Sequence, residues 1–454
     1  MQLRKHLFSA IRKLALSYCV LLALFTGLII LVYCIPPSLT YEHVIESAPY
    51  QIADENAVVE DDAWTTTSSG TVGIMLTMAS HGGERPAKDA MEGGWYLSPS
   101  TDIFVSTEEG IGKKANQSYE RYWNGWMVFV RPLLILFNYG GIKKLSWIAF
   151  FVLFVSLVIL AYKKLGNGAL YAGALGISLI AVCPNGIDQL AYIFPILLAL
   201  GACIFVFVTC ENLHSPERRL SLSVAFFVIG ALTQYLDFLT FPALTLLYPL
   251  FFCVLLINES KGECKGMSCG KTLFFVVAFS SITWCLGYGL LWGSKWVVGS
   301  LILGRDIVSD SFNQMLFRTG VTNMGFGVTA PLEDWFGTDI NAYNSIAIQL
   351  KTLYPGMKIW MLVLTAIVLL VLLAVQKLRG LSCAVPIALL AIALMPYVWF
   401  AVASNHSIIH YYFTYRLQAA SLFGLLAYLV YSVTAIGQTW SWKKPLHKSA
   451  SPSV

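Results

Sequence analysis

Long apolar runs alternate with short basic connections through most of this chain, and two long polar stretches interrupt the alternation. A membrane-crossing helix needs ~20 apolar residues. Ten runs reach or approach that length, at roughly 14–35, 142–162, 168–183, 189–210, 221–236, 240–257, 272–293, 357–376, 381–402 and 417–436. The pattern predicts an all-α membrane protein with about ten transmembrane helices and two large extracytoplasmic loops. In order, 1–35 is a signal-anchor first span and 36–125 an acidic loop. The stretch 126–139 is an interfacial amphipathic helix, and 140–295 holds helices 2–7. A second loop fills 296–356, helices 8–10 fill 357–438, and 439–454 is a basic tail.

The interfacial helix belongs to Arg121-Tyr-Trp-Asn-Gly-Trp126-Met-Val-Phe-Val-Arg131-Pro-Leu-Leu-Ile-Leu-Phe-Asn138-Tyr. Its apolar part is too short to span, and Pro132 removes a backbone donor within it. Lying at the membrane surface would set its tryptophans at headgroup level and its arginines near phosphates. A plain re-entry helix that only shapes the protein fits the same residues.

Composition sharpens the picture. The chain of 454 residues is 57% hydrophobic and 12% charged, against roughly 25% charged for a soluble globular protein. That excludes a soluble enzyme and leaves the net charge of +5 no bearing on nucleic acid. More than half of the 30 Lys+Arg fall at the N-terminus, in the C-terminal tail, or in the short connections at 163–164, 218–219, 261–271 and 377–379. The positive-inside rule puts that side, with both termini, in the cytoplasm of a plasma-membrane protein. The first long loop carries 14 Asp+Glu against five Lys+Arg. Neither long loop contains any of the ten cysteines, so no disulfide framework is expected there.

Three clusters can carry chemistry. Glu60-Asp61-Asp62, with Asp54-Glu55 upstream, is the densest acidic run. Asp61 or Asp62 can act as a general base toward a sugar hydroxyl, or the cluster can hold a divalent cation, the one cofactor the sequence suggests. A solvated acidic stretch has the same composition. Asp237, in Gln234-Tyr-Leu-Asp237-Phe-Leu-Thr-Phe-Pro242, stands between two apolar runs, where an ionisable group is either functional or a helix cap. The third cluster is Asn405-His406-Ser-Ile-Ile-His410-Tyr-Tyr-Phe-Thr-Tyr415-Arg416. In a helix, His406 and His410 would share a face, as would Tyr412 and Arg416. Such a cluster suits an anionic headgroup, and equally an aromatic belt with a snorkelling Arg416. Lys295, Arg305 and Arg318 add cations around the second loop.

These stretches resemble the GT-C class of membrane glycosyltransferases in layout, and also a group of uncharacterised bacterial membrane proteins. The resemblance rests on Arg121-Tyr-Trp-Asn-Gly with Arg131-Pro, on Tyr235-Leu-Asp237-Phe-Leu-Thr-Phe-Pro, and on His410-Tyr-Tyr-Phe-Thr-Tyr-Arg416. It implies transfer of a sugar from a polyprenyl-phosphate carrier to a glycan or protein acceptor in the cell envelope. It further implies Asp61 or Asp62 as base and Arg121, Arg131 and Arg416 as phosphate contacts. Tyr122, Trp123, Asp237, Lys295, His406, His410 and Tyr415 then complete the substrate site. A transporter or flippase of a lipid-linked glycan, or a membrane scaffold without catalysis, is the competing reading. No internal repeat favours the transporter.

Overall fold

In apolar surroundings a backbone must satisfy its own hydrogen bonds, so each apolar run coils into a helix. The computed structural model describes residues 2–56, 69–100, 103–210, 213, 215–260, 269–322, 339–356 and 358–441. In chain order the helices used below begin with α1 (Gln2–Tyr33), α2 (Tyr41–Ile45), α3 (Ala48–Asn56), α4 (Ser69–Ala79), α5 (Pro86–Glu92), α6 (Ile103–Glu109) and α7 (Met127–Leu133). The bundle continues with α8 (Tyr139–Lys164), α9 (Gly168–Val182), α10 (Leu190–Thr209), α11 (Pro216–Leu236), α12 (Leu244–Glu259) and α13 (Cys269–Leu303). Last come α14 (Ile307–Arg318), α15 (Ala342–Leu353), α16 (Ile359–Leu378), α17 (Ala384–Val402), α18 (Ser404–Ile409), α19 (Tyr411–Thr414) and α20 (Gln418–Ser441). Strands are confined, among the described residues, to the two-residue antiparallel pair Gly94–Trp95 and Gln117–Ser118. The fold is all-α.

Every apolar run is helical, and among the described residues eight helices are long and apolar enough to cross a membrane. The exceptions, α9 and α12, are 15 and 16 residues long. Nearly all of α12 is enclosed by protein, with Leu247, Phe251 and Phe252 fully buried. Its run loses its first residues to an irregular loop, which begins at Asp237. In contrast, α13 runs for 35 residues, past the expected end near 295. Lys295 does not stop it, because its ammonium donates to the carbonyl of Met91 (2.7 Å) inside the protein. Close packing also needs small residues. A Cβ on Gly230 of α11 would stand 2.1 Å from the Trp284 carbonyl oxygen, and one on Gly287 of α13 would stand 2.0 Å from that of Phe227.

The stretch 126–139 departs from the amphipathic surface helix. It holds only the seven-residue α7, followed by a turn to Asn138, whose side chain caps α8 by accepting from the Gly141 N–H (3.0 Å). Met127, Val130, Arg131 and Leu134 are buried, while Phe129 and Leu136 face outward. Arg131 reaches backbone carbonyls rather than the surface. Its Nη2 donates to Ile35 (2.7 Å) and its Nη1 to His81 (3.0 Å), with the guanidinium 5.0 Å from the Tyr33 ring centre.

Among its described residues the first long segment forms the five short helices α2 to α6. In α4, Val72, Met75, Leu76, Met78 and Ala79 are all fully buried. The two long segments also meet at one end of the bundle. Arg305 pairs with Glu92 (3.2 Å) and Glu120, and Arg121 pairs with Asp310 (3.1 Å). On the first segment Asp54 binds the start of α8 through Lys143 (2.6 Å) and the start of α10 through Gln189 (2.9 Å). Lys163, Lys164, Arg218 and Arg219 lie at the opposite helix ends. The bundle thus has a loop-rich end and a basic end.

Candidate functional site

The site is built where α11 stops. Leu236 is the last helical residue, and Asp237 turns the chain by accepting the Thr240 N–H (3.0 Å) and the Thr240 hydroxyl. This is the local ring that Asp makes at turns. It forces Leu239 into the left-handed region at φ 64°, a conformation that costs a non-glycine residue of order 1–3 kcal/mol and persists only where surroundings impose it. What the loop presents is the Leu239 carbonyl, which accepts from His406 Nε2 (2.8 Å). Asp237 itself is buried, and burial pushes its carboxyl up to about 7 against the opposing donors of Thr240.

His406 sits on α18 and is 1% exposed. Its Nε2 proton is committed to Leu239, so Nδ1 is an acceptor, and Arg318 Nη1 donates to it at 2.5 Å. The imidazole is neutral by this geometry. Burial, Arg318 and His410 all push its pKa down. Arg318 ends α14, and two contacts hold it there. Gly320, at φ 72°, lies so close to α18 that a Cβ would stand 2.4 Å from Ser404 Oγ. Asn405 Nδ2 donates to the Thr322 carbonyl (3.1 Å).

The helix predicted to carry both histidines breaks at His410, which ends α18 with φ −110° and ψ 32°. The rings meet nonetheless, with centres 4.8 Å apart. His410 stacks on Phe413 at 5.0 Å, and its Nδ1 lies 3.4 Å from the Tyr412 hydroxyl. Burial beside Arg318 lowers its pKa to about 3.

A cavity of about 320 Å³ opens among these groups. Arg318, His406, His410 and Tyr412 form one side, and Phe238 and Thr240 of the Asp237 loop form another. Tyr119 and the first turn of α4, at Gly70 and Thr71, close it. Burial pushes the Tyr119 phenol up to about 12, so it keeps its proton and can donate. Among the described residues that line the cavity, Arg318 is the one permanently charged side chain and none is a carboxylate.

Of the residues nominated from sequence, His406 and His410 reach this cavity, and Asp237 stands one residue behind its wall. Tyr122 stacks on Tyr119 with centres 5.1 Å apart. The others are spread through the surrounding framework. Arg121 pairs with Asp310, and its carbonyl accepts both Trp292 Nε1 (3.1 Å) and Trp296 Nε1 (3.2 Å). Trp123 donates to the Leu291 carbonyl (2.8 Å) and lies 5.9 Å from the buried Lys295 ammonium. Tyr415 and Arg416 are fully buried, with the Arg416 guanidinium over the Tyr192 ring (4.4 Å) and donating to the Tyr412 carbonyl (2.8 Å). Asp61 and Asp62 lie outside the described residues.

Sequence reading noted Arg318 only as a cation of the second loop that could share a cavity with Lys295, and missed Tyr119 and the first turn of α4. The signal for Arg318 was its place in the last turn of an amphipathic helix before Gly320. That pattern says helix end and nothing about chemistry. A second polar cluster was also missed. Lys143 bridges Asp54 (2.6 Å) and Asp188 (2.7 Å), with Tyr139 donating to Asp54 (2.8 Å) and Trp147 to Asp188 (2.9 Å). Among the described residues, no three His, Cys, Asp or Glu side chains gather so as to hold a metal ion. No family model matches this chain, and no curated protein or solved structure matches it.

Proposed function

We propose that the chain is a cell-envelope glycosyltransferase that takes a sugar from a polyprenyl-phosphate carrier. The observation that supports this reading is the cavity at the loop-rich end of an apolar helical bundle. It combines one cation, Arg318, with aromatic walls and neutral hydrogen-bonding groups. A phosphate suits the cation, and sugar faces suit aromatic rings. The opposite end carries the basic residues, so the cavity faces the extracytoplasmic side and both termini are cytoplasmic.

The chemistry that fits is an inverting displacement. A carboxylate takes the proton of an acceptor hydroxyl, whose oxygen attacks the anomeric carbon while the bond to the phosphate oxygen breaks. The departing carrier changes from a phosphodiester to a phosphomonoester and gains one negative charge. Arg318, held 2.5 Å from a neutral imidazole, is placed to stabilise that charge. The resemblance assigns the base to Asp61 or Asp62. Asp237 is a poor base, because both its oxygens are engaged by Thr240.

The test is transfer from a radiolabelled polyprenyl-phosphate sugar in reconstituted vesicles. The wild type should transfer, and the Asp61→Asn/Asp62→Asn double variant should not. Labelled lipid that crosses the bilayer without transfer would instead support a flippase.

A further inference from the structure

Two cysteines meet across the bundle toward its basic end. Cys210 ends α10, and Cys253 lies on α12, which packs along α10 with the Phe207 and Phe252 ring centres 4.9 Å apart. The two thiols hydrogen-bond to each other. Their exposure differs. Cys253 is fully enclosed, whereas Cys210 keeps 9% of its surface open. It sits where the backbone leaves the helix, at φ −92° and ψ 62°, with the Thr209 hydroxyl 3.8 Å from its sulfur. Carbonyls at a helix C-terminus disfavour a thiolate, but here the Phe207 carbonyl accepts from Lys164 Nζ (2.7 Å). Cys203 shares this face of α10 and is fully buried. Seven residues along one helix rise about 10 Å, more than the ~7 Å between Cα atoms that a disulfide tolerates. Cys253, not Cys203, is therefore the partner that Cys210 can bridge.

We infer that Cys210 and Cys253 form a hydroperoxide-reactive pair, in which Cys210 is the attacking thiol and Cys253 closes a reversible disulfide. Reactive thiols keep an open edge, whereas fully enclosed ones are inert until a neighbour engages them. The Cys210 sulfur attacks one oxygen of the hydroperoxide and the O–O bond breaks. The other oxygen leaves with the Cys210 proton, as water or an alcohol, and Cys210 becomes a sulfenic acid. The Cys253 sulfur then attacks the Cys210 sulfur. The S–S bond forms, and the hydroxyl leaves with the Cys253 proton as water. The pair loses two electrons, the peroxide gains them, and a dithiol reductant reverses the bridge. This joins the end of α10 to α12 away from the candidate cavity, so the chemistry stands apart from sugar transfer.

The test treats the full-length, reduced chain in detergent with hydrogen peroxide or with the lipophilic cumene hydroperoxide. Remaining thiols are alkylated after denaturation, and peptides are mapped by mass spectrometry. In the wild type, Cys210 and Cys253 should be lost to alkylation and appear as one joined peptide pair that dithiothreitol releases, while Cys203 stays alkylated. Cys210→Ser should leave Cys253 reduced. Cys253→Ser should stop at a Cys210 sulfenic acid, trapped by dimedone. Bridge formation with hydrogen peroxide makes the reactant water-borne, and bridge formation with cumene hydroperoxide alone makes it lipid-borne. The wild-type map decides even where a variant fails to fold. If Cys210 and Cys253 stay reduced while the exposed Cys34 and Cys285 oxidise, the inference is overturned. Equal oxidation of Cys253 in Cys210→Ser overturns it too, as does a bridge from either residue to another cysteine.

Discussion

Replacing Arg131 by Met separates the geometry of this protein from the role its sequence resemblance implies. If Arg131 held a carrier phosphate, the variant would fold normally and lose affinity. The structure places it elsewhere. The side chain is fully buried and ties the end of α1 to the segment after α4, through Ile35 (2.7 Å) and His81 (3.0 Å). Hydrogen bonds from a charged donor contribute ~1.5–3 kcal/mol each, and each buried carbonyl left unpaired costs ~1–3 kcal/mol. Relief from burying a guanidinium and the packing of Met offset part of that. The expected net loss is therefore about 2–4 kcal/mol. Lysine, with one ammonium, cannot follow both carbonyl directions and should recover only part. Thermal unfolding in detergent, read by tryptophan fluorescence, checks the stability. Calorimetry with dihexyl phosphate checks the binding. An unchanged unfolding temperature together with weakened phosphodiester binding would refute this reasoning and return Arg131 to the substrate site.

Three further outcomes follow from the same geometry. Lowering the pH should destabilise the folded chain through His410. The unfolded imidazole protonates near 6.5, whereas the folded one stays neutral down to about 3. The stability His410 contributes is thus present above 6.5 and is lost as pH falls toward 3. Unfolding profiles at pH ~7 and ~4.5 should differ less for His410→Gln than for the wild type. Lys143→Met leaves Asp54 and Asp188 facing each other and should cost about 1–3 kcal/mol, a buried-pair value reduced for the partial exposure of Asp188. Adding Asp54→Asn should restore part of it in a double-mutant cycle. Gly320→Ala needs a left-handed alanine and collides with Ser404 Oγ. It should cost ~1–2 kcal/mol and weaken phosphodiester binding, whereas Gly380→Ala, left-handed with open space around it, should cost stability alone.

The helical bundle was readable because hydropathy reports burial in lipid directly. All ten apolar runs are helical, and two of their shifted ends trace to polar residues that found partners inside the protein. Lys295 kept α13 going by donating to Met91, and Asp237 shortened α12 by capping a loop. The first depends on a group 204 residues away, which periodicity cannot see, whereas the second is a local turn closed by Thr240. The candidate site was half legible. His406 and His410 stand out as paired titratable groups next to aromatic residues, and Asp237 as an acid between apolar runs. The role of Arg318 depends on α14 meeting α18, a contact set by Gly320 and Asn405. Arg131 and Arg416 mislead for the opposite reason. An arginine in an apolar stretch reads as a ligand for an anion, yet both donate to backbone carbonyls within the fold and lie against tyrosine rings.

The measurement that bears most directly on the account is sugar transfer from a radiolabelled polyprenyl-phosphate donor in vesicles, comparing wild type with Arg318→Gln and Arg318→Lys. The account predicts transfer by the wild type, loss of about tenfold or more in Arg318→Gln, and substantial recovery in Arg318→Lys. Transfer that is indifferent to Arg318, or no transfer by a wild-type chain that binds the donor, would contradict it.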